Sequence, residues 1–425
     1  MTDVQNDVPA DGLVELSLDE LRARFRRDYD PFSSNTIAAQ LAELADRRDE
    51  VPVSYSARGN GCWVITRYDD ISSMLRRSNR GFISFPSTPD GVNTQGSQKA
   101  MIPIEIDGAE HRKYRQVLDP LFAPARVGEL EPLLRRAAND LIDEFIEAGE
   151  VDFAEEFALP FPGATVLAIM GWPAADLHRL NSWVGIVMHG IIGASQAESD
   201  AARGAAHSEI RQYFLDLIAV RRESLSDDVT SHLINLELNG EHLTDDQLFD
   251  TFLLMMLAGL DTVKSVLAQS FVYLGQHPEA WDAMFATPES LDPAIEELLR
   301  FTSPAVPTRN VTDVSVTVGG VPIPKGERVH GPLAAANRDP SYYPEPDEIK
   351  FDRQAKPHLA FGLGPHRCLG VHLARLELRI GFEELRRRLP TFSLDTSRRP
   401  VEHLGLAWGV EGVHITFPPG KREGA

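Results

Sequence analysis

Phe361-Gly362-Leu363-Gly364-Pro365-His366-Arg367-Cys368-Leu369-Gly370 places a cysteine at the end of a loop made of glycine and proline. Glycine adopts backbone angles closed to other residues and proline fixes its own, so this run predicts a tight, rigid turn. The spacing that follows, over 369–389, is helical, which puts Cys368 just before a helix N-terminus. The positive end of a helix dipole and its free backbone N–H groups stabilise a thiolate there. Cys368 is therefore a candidate metal ligand. Two plainer readings stand beside it: a buried structural cysteine next to a turn, and a zinc site drawn from His366, Cys368 and His372, which lacks a second nearby cysteine and the usual spacing.

Working outward from this loop, the chain reads as mainly helical. Residues 1–30 are polar and acidic and are expected to be a partly ordered lead-in, with one large domain over 31–425. Residues 52–66 alternate around Arg58-Gly59-Asn60-Gly61, the pattern of a hairpin. Residues 80–100 are rich in Gly, Ser, Pro and Asn and predict a long loop. From His111 to about Arg300 the spacing is mostly helical. Thr244-Asp245-Asp246-Gln247 is a capping-box pattern opening a long helix through 248–274, and 292–301 predicts another. Val311–Val321 reads as a strand pair turning at Gly319-Gly320. An irregular stretch covers 335–356, and strands and turns end the chain. No repeat or flexible linker divides it. The expected fold class is mainly α with small β elements, in one large domain.

The net charge of −21 disfavours non-specific nucleic-acid binding. The chain holds two cysteines, Cys62 and Cys368, so no disulfide framework is indicated and a reducing cytoplasm suits it. No signal peptide is read at the acidic N-terminus. The longest apolar run, Phe252–Leu260, is short of the roughly 20 residues a membrane span needs, so no membrane anchor is expected.

The cysteine segment resembles the haem-binding signature of the cytochrome P450 family, Phe-Gly-x-Gly-x-His-x-Cys-x-Gly, at every position. The resemblance runs from about Val51 to Phe417. It implies the P450 fold, haem b (iron protoporphyrin IX) as cofactor, and Cys368 as the iron's axial ligand. An electron-rich thiolate behind haem iron favours O–O cleavage. Phe361 would pack on the sulfur side and His366 would reach a haem propionate. Glu297-Leu298-Leu299-Arg300 puts a carboxylate and a guanidinium three apart on one helix face. With Arg353 in Phe351-Asp352-Arg353, these look like the family's Glu-x-x-Arg element and its third, structural member. His111 and Arg115 share a helix face, and the family pattern places propionate contacts there and at Arg309.

Ala258-Gly259-Leu260-Asp261-Thr262 interrupts an apolar helix with small residues and a polar pair. Read alone, it is a kink with Thr262 bonded back to its own turn. In the family this spot carries an acid–alcohol pair beside the oxygen site, with small residues making room for dioxygen. The resemblance then makes Asp261 and Thr262 the proton-handling residues. Leu254, Leu257 and Ala258 are expected on the Asp261 face, lining a pocket with Ala305, Val306 and Met101. Plain core is the alternative for each.

Within the family the chain resembles soluble bacterial camphor-type hydroxylases, through 258–263, Ile102-Pro103 and 408–413. Lys99 and Ala100 stand near where the camphor-binding member has a tyrosine, so camphor itself is not implied. The implied reaction inserts one atom of dioxygen into a C–H bond of a small apolar substrate, a terpenoid or small aromatic. The chain has no Gly-x-Gly-x-x-Gly loop for a reductase cofactor, so electrons are expected from a separate iron–sulfur ferredoxin and its reductase. Arg112, Lys113, Arg367, Arg375 and Arg379 are read as its basic docking patch, with ordinary surface charge as the alternative. A peroxide-driven haem-thiolate enzyme and a non-enzymatic haem-binding sensor are the rival functions.

Overall fold

The computed structural model describes residues 16–423 apart from 31–35, 79, 85–99, 192–193, 239, 313–314, 355 and 405–406. Most of the loop read at 80–100, with Lys99, lies outside the described residues. Two helices, Leu18–Arg24 (α1) and Ile37–Glu50 (α2), precede a hairpin of Val53–Ser56 (β1) and Cys62–Ile65 (β2). Tyr68–Arg76 (α3), Phe82–Ile83 (β3) and Gly108–Leu121 (α4) follow. The helical body contains Glu131–Phe145 (α5), Pro160–Met170 (α6), Leu177–His189 (α7), Gln196–Glu223 (α8), Asp245–Gln276 (α9) and Leu291–Thr302 (α10). Strands Thr308–Val311 (β4), Ser315–Val318 (β5), Val321–Pro324 (β6) and Arg328–His330 (β7) lead to Val371–Arg388 (α11). Near the end come Val401–His403 (β8) and Gly409–Glu411 (β9).

The largest sheet has the order β1-β2-β7-β4-β3. The expected hairpin is there, with Val53 opposite Ile65 and Ser56 opposite Cys62. Both strands are fully buried: β2 is a four-residue apolar run, while β1 alternates Val53 and Tyr55 with two serines. β5 and β6 pair antiparallel with Val318 opposite Val321, so the turn falls on Gly319-Gly320 as read. The later half of the lead-in is more built than its composition indicates. Leu21, Phe25 and Tyr29 are buried against the sheet, and the side chain of Ser17 caps α1.

Helix α9 is the axis of the fold. Thr244 accepts the amide of Gln247 at 3.2 Å while Gln247 accepts that of Thr244 at 2.9 Å, the reciprocal cap its sequence predicts. Its first half, from Leu248 to Leu260, belongs to one hydrophobic cluster with α6, α7 and α8. Its second half, from Val263 to Leu274, belongs to another with α5, α10 and α11. Asp261 and Thr262 occupy the seam between them. The helix read over 248–274 runs unbroken from Asp245 to Gln276, with Ala258–Thr262 inside it. A glycine costs a helix only about 1 kcal/mol, which packing readily offsets. By length and composition α9 passes as a membrane span, but 72% of its apolar window is buried within the protein, as in a core helix.

Candidate active site

The cysteine loop owes its shape to backbone geometry. Gly362 and Gly364 have φ of 65° and 74°, angles that side chains disfavour. A Cβ on Gly364 would also lie 2.6 Å from the Leu75 carbonyl oxygen of α3. The Cys368 amide donates to the Phe361 carbonyl at 2.9 Å, closing the loop. Cys368 is unpaired and exposed. Protein packed around the sulfur raises its thiol pKa, opposed by the Gly370 amide and by Arg115, Arg367 and Arg375. A bound metal ion would reverse that balance outright. Phe361 is half-buried, with the Arg375 guanidinium 4.7 Å from its ring centre. Zinc finds no support: among the described residues no three His, Cys, Asp or Glu side chains form a metal-binding group.

Beside the loop lies a cluster of cations and imidazoles. Arg309 on β4 is 4% exposed, has no carboxylate within ion-pair distance among the described residues, and leaves Nε without a hydrogen bond. Burial pushes its pKa down to about 10. His111 on α4 is buried, and its Nδ1 also lacks a partner. Burial, then His366 and Arg115, bring its pKa down to about 4. The two imidazole rings lie 4.2 Å apart. His366 is already engaged: Nε2 is 2.9 Å from Asp107 Oδ1 and 3.0 Å from Ser84 Oγ. Arg115 donates to Asp119 at 2.7 Å and to the Arg367 carbonyl at 2.8 Å. Sequence reasoning missed Asp107 and Ser84, which fix His366 from a distance of more than 250 residues.

The Glu-x-x-Arg element forms as read. Arg300 donates twice to Glu297, both at 2.8 Å, and Arg353 donates to the same carboxylate at 2.9 Å. Glu297 and Arg300 are 4% and 2% exposed, so each needs the other. Arg300 also caps the carbonyls of Asn337, Pro346 and Glu348, and Glu297 accepts the Lys350 amide. The four groups thereby pin the irregular 335–356 stretch to α10.

On α9 the expected single pocket face divides. Ala258 is exposed and Leu254 and Thr262 are half-exposed, although most of the helix is buried. Leu257 and Asp261 instead face inward, at 4% and 1% exposure. Thr262 Oγ1 donates to the Ala258 carbonyl at 2.8 Å, the back-bond its sequence allows. Gly259 serves packing: a Cβ there would sit 2.7 Å from Val166 of α6. Asp261 meets His189 Nε2 of α7 at 3.0 Å. Ala305 is half-buried and bridges Ala407, while Val306 and Met101 are buried. Two of the five cations read as a basic patch are held by carboxylates of α10. Glu296 holds Arg375 at 2.6 and 2.7 Å, and Asp292 holds Arg379 at 2.6 Å. Arg112, Lys113 and Arg367 remain exposed.

A free cysteine on a rigid loop, buried cations beside it, and a core helix that exposes Ala258 and Thr262 define a haem-thiolate protein. The donor set fits haem, since Arg309 and the unpartnered Nδ1 of His111 are what buried propionates require. The chain belongs to the cytochrome P450 family. A cytochrome P450 family profile matches residues 198–287 and 289–408. Over 375 residues, 87% of each chain, it is 34% identical to the probable cytochrome P450 127A1 of Sinorhizobium fredii. It is 32% identical over 322 residues to a steroid C26-monooxygenase of Mycolicibacterium smegmatis, covering 74% of this chain and 79% of that one. Among solved structures it resembles Mycobacterium marinum cytochrome P450 CYP268A2 in complex with pseudoionone. That match has a TM-score of 0.83 and 27% identity, over 92% of this chain and all of the other. The protein is thus a P450 monooxygenase of the soluble bacterial type, a haem- and iron-binding oxidoreductase.

Proposed function

We propose that the protein hydroxylates a small, compact apolar molecule, a terpenoid or small aromatic, using dioxygen and electrons from a separate iron–sulfur ferredoxin and its reductase. Bound haem supplies the activation of dioxygen and the attack on the C–H bond. Cys368 holds the iron, with Phe361 shielding the sulfur. Arg309, His111 and Arg115 hold the propionates, and His366, drawn to Asp107, orders the loop around them. Glu297, Arg300 and Arg353 keep the cysteine side in shape.

The observation that carries this reading is the polar seam of α9. Thr262 and Ala258 are open on one side while Asp261, the next residue, is a buried acid. Thr262 holds a proton donor at the reaction site once its hydroxyl turns from the Ala258 carbonyl, and Asp261 supplies the proton behind it. Leu254, Ala258, Ala305, Val306 and Met101 offer an apolar lining, with Leu257 packed behind. The steroid and pseudoionone named for two relatives support an apolar, terpenoid-like substrate. Arg112, Lys113 and Arg367 suit an acidic redox partner on a chain of net charge −21. Two free cysteines suit a cytoplasmic location without a membrane.

The test is turnover of the haem-loaded protein with a ferredoxin–reductase chain and a panel of small terpenoids and aromatics. Members that shift the ferric Soret band are expected to give hydroxylated product. Product with hydrogen peroxide alone, and none with the reductant chain, would establish the peroxide-driven alternative.

A further inference from the structure

Asp261 is 1% exposed, so any proton it hands on must be replaced through the protein. Its Oδ1 lies 3.0 Å from His189 Nε2 and 3.6 Å from Lys264 Nζ, one turn along α9. Its Oδ2 has no hydrogen-bond partner among the described residues. Lys264 Nζ is also 3.6 Å from Glu411 Oε1 on β9. The His403 ring of β8 lies 3.9 Å from the His189 ring, tilted by 52°, with Nε2 3.7 Å from the same Glu411 oxygen. His403 is 8% exposed, and neither of its ring nitrogens has a hydrogen bond among the described residues. Ser265 Oγ, also unpartnered, closes the chamber where Gly409 lets the hairpin approach: a Cβ there would lie 2.8 Å from His403 Nε2 and 3.0 Å from Ser265 Oγ. With His189 Nδ1, five polar atoms are buried together here without hydrogen-bond partners among the described residues, which is costly in a dry interior, so this cluster suits mobile protons or water.

One member reaches solvent. The Glu411 side chain is 40% exposed, whereas that of Lys264 is 7% exposed. Lys264 therefore bridges a sealed carboxylate and an open one at equal distances. Burial raises the Asp261 pKa, but His189, Lys264 and His403 outweigh it and hold the carboxyl well below its usual range. Asp261 is thus an anion between turnovers and carries a proton only in passing. His403 is pushed down to about 3 by burial and then by His189, so it is a neutral ring at pH 7.

Resting on the reading of Asp261 as the proton donor, we propose that Lys264 relays protons to it from solvent through Glu411, with His189 holding Asp261 in place and His403 lying between His189 and Glu411. An N–H bond of the Lys264 ammonium breaks as an O–H bond forms on Asp261. Glu411, protonated at the surface by hydronium, then passes that proton to the neutral amine and returns to the carboxylate, so that water is the only by-product. One proton moves inward per cycle and no electron is exchanged.

The test needs no substrate. The haem-loaded protein is reduced at an electrode, and dioxygen consumption is followed in H2O and D2O with the peroxide released. Lys264→Met is expected to slow consumption roughly tenfold, less than the roughly 10²–10⁴-fold cost of removing a general acid outright, and to raise the solvent isotope effect. Glu411→Gln, a surface change that leaves the core intact, should shift both in the same direction by about threefold. Lys264→Arg should fail to restore the rate, because a guanidinium keeps its proton. Full rescue by arginine would reduce Lys264 to a fixed charge and overturn the relay. So would an unchanged isotope effect in Lys264→Met while Asp261→Asn is slowed. If Asp261→Asn itself behaves as wild type, the failure belongs to the reading of Asp261. Unaltered absorbance of the reduced, carbon-monoxide-bound protein shows each variant folded.

Discussion

The two sides of the haem site are built on different principles. The cysteine side is a single run, 361–370, whose glycines, proline and cysteine carry their geometry with them. The Asp261 side is assembled from α7, α9, β8 and β9, and its members His189, Asp261, Lys264, His403 and Glu411 span more than 220 residues of chain. A site made of one segment tolerates change elsewhere and fails at one residue. A site made of four elements shares its function, so single changes should weaken it by degrees.

The largest effect follows for the single-segment side. Cys368→Ala should abolish the thiolate-type Soret band of the reduced, carbon-monoxide-bound protein and bring reductant-driven oxygenation to background. Retention of that band would remove the sulfur from the iron and erase the contrast between the two sides. Next in size is the brace beneath the loop. Glu297→Ala leaves Arg300, 2% exposed, without its carboxylate, a loss of roughly 3–5 kcal/mol for a broken buried pair. The expected readout is a lower thermal midpoint with faster loss of haem. An effect under about 1 kcal/mol would show that the carbonyls of Asn337, Pro346 and Glu348 satisfy the guanidinium alone.

The same contrast explains what could be read from the chain. Gly364 is legible because its φ of 74° and its approach to Leu75 are demands a sequence must meet locally. The caps of α9, the hairpin at 58–61 and the Glu297–Arg300 spacing are local in the same sense. The division of the α9 face was not legible. Helical spacing groups Leu257 with Leu254 and Ala258, but which neighbour covers each is decided by α6 and α7. Gly259 was read as room for dioxygen, yet Val166 fills that side. Lys264, a lysine in the run Val263-Lys264-Ser265 of a buried helix, was the one signal of the chamber available from sequence. His189, His403 and Glu411 gave none, since nothing in their own segments sets them apart.

A smaller effect is expected at Thr262. Among the described residues its hydroxyl bonds only to its own turn, at 2.8 Å to Ala258, so Thr262→Ala costs the fold little and gains some helix propensity. The thermal midpoint and the thiolate band should stay as in wild type, while several-fold more of the reducing equivalents appear as hydrogen peroxide. Unchanged peroxide release would leave Thr262 a packing residue and confine proton handling to Asp261.

The finest test compares one histidine from each side. His111 and His403 are both buried with depressed pKa values, about 4 and about 3, against an ordinary value of 6.5. A base depressed on folding binds protons in the unfolded chain first. Its contribution is therefore complete above pH about 6.5 and is lost as pH falls toward the folded value, by at most about 1.4 kcal/mol per pH unit per group. Haem should separate the two. A propionate beside His111 favours the imidazolium and raises its pKa, which removes its share of the slope in the loaded protein. His403 sits among Asp261, His189 and Lys264, away from that carboxylate, and keeps its share. Urea midpoints of the haem-loaded protein between pH 6.5 and 4.5 should therefore fall less steeply in His403→Gln and as steeply as wild type in His111→Gln. Equal flattening by both variants would mean that His111 does not meet a propionate, and the anion site would rest on Arg309 and Arg115.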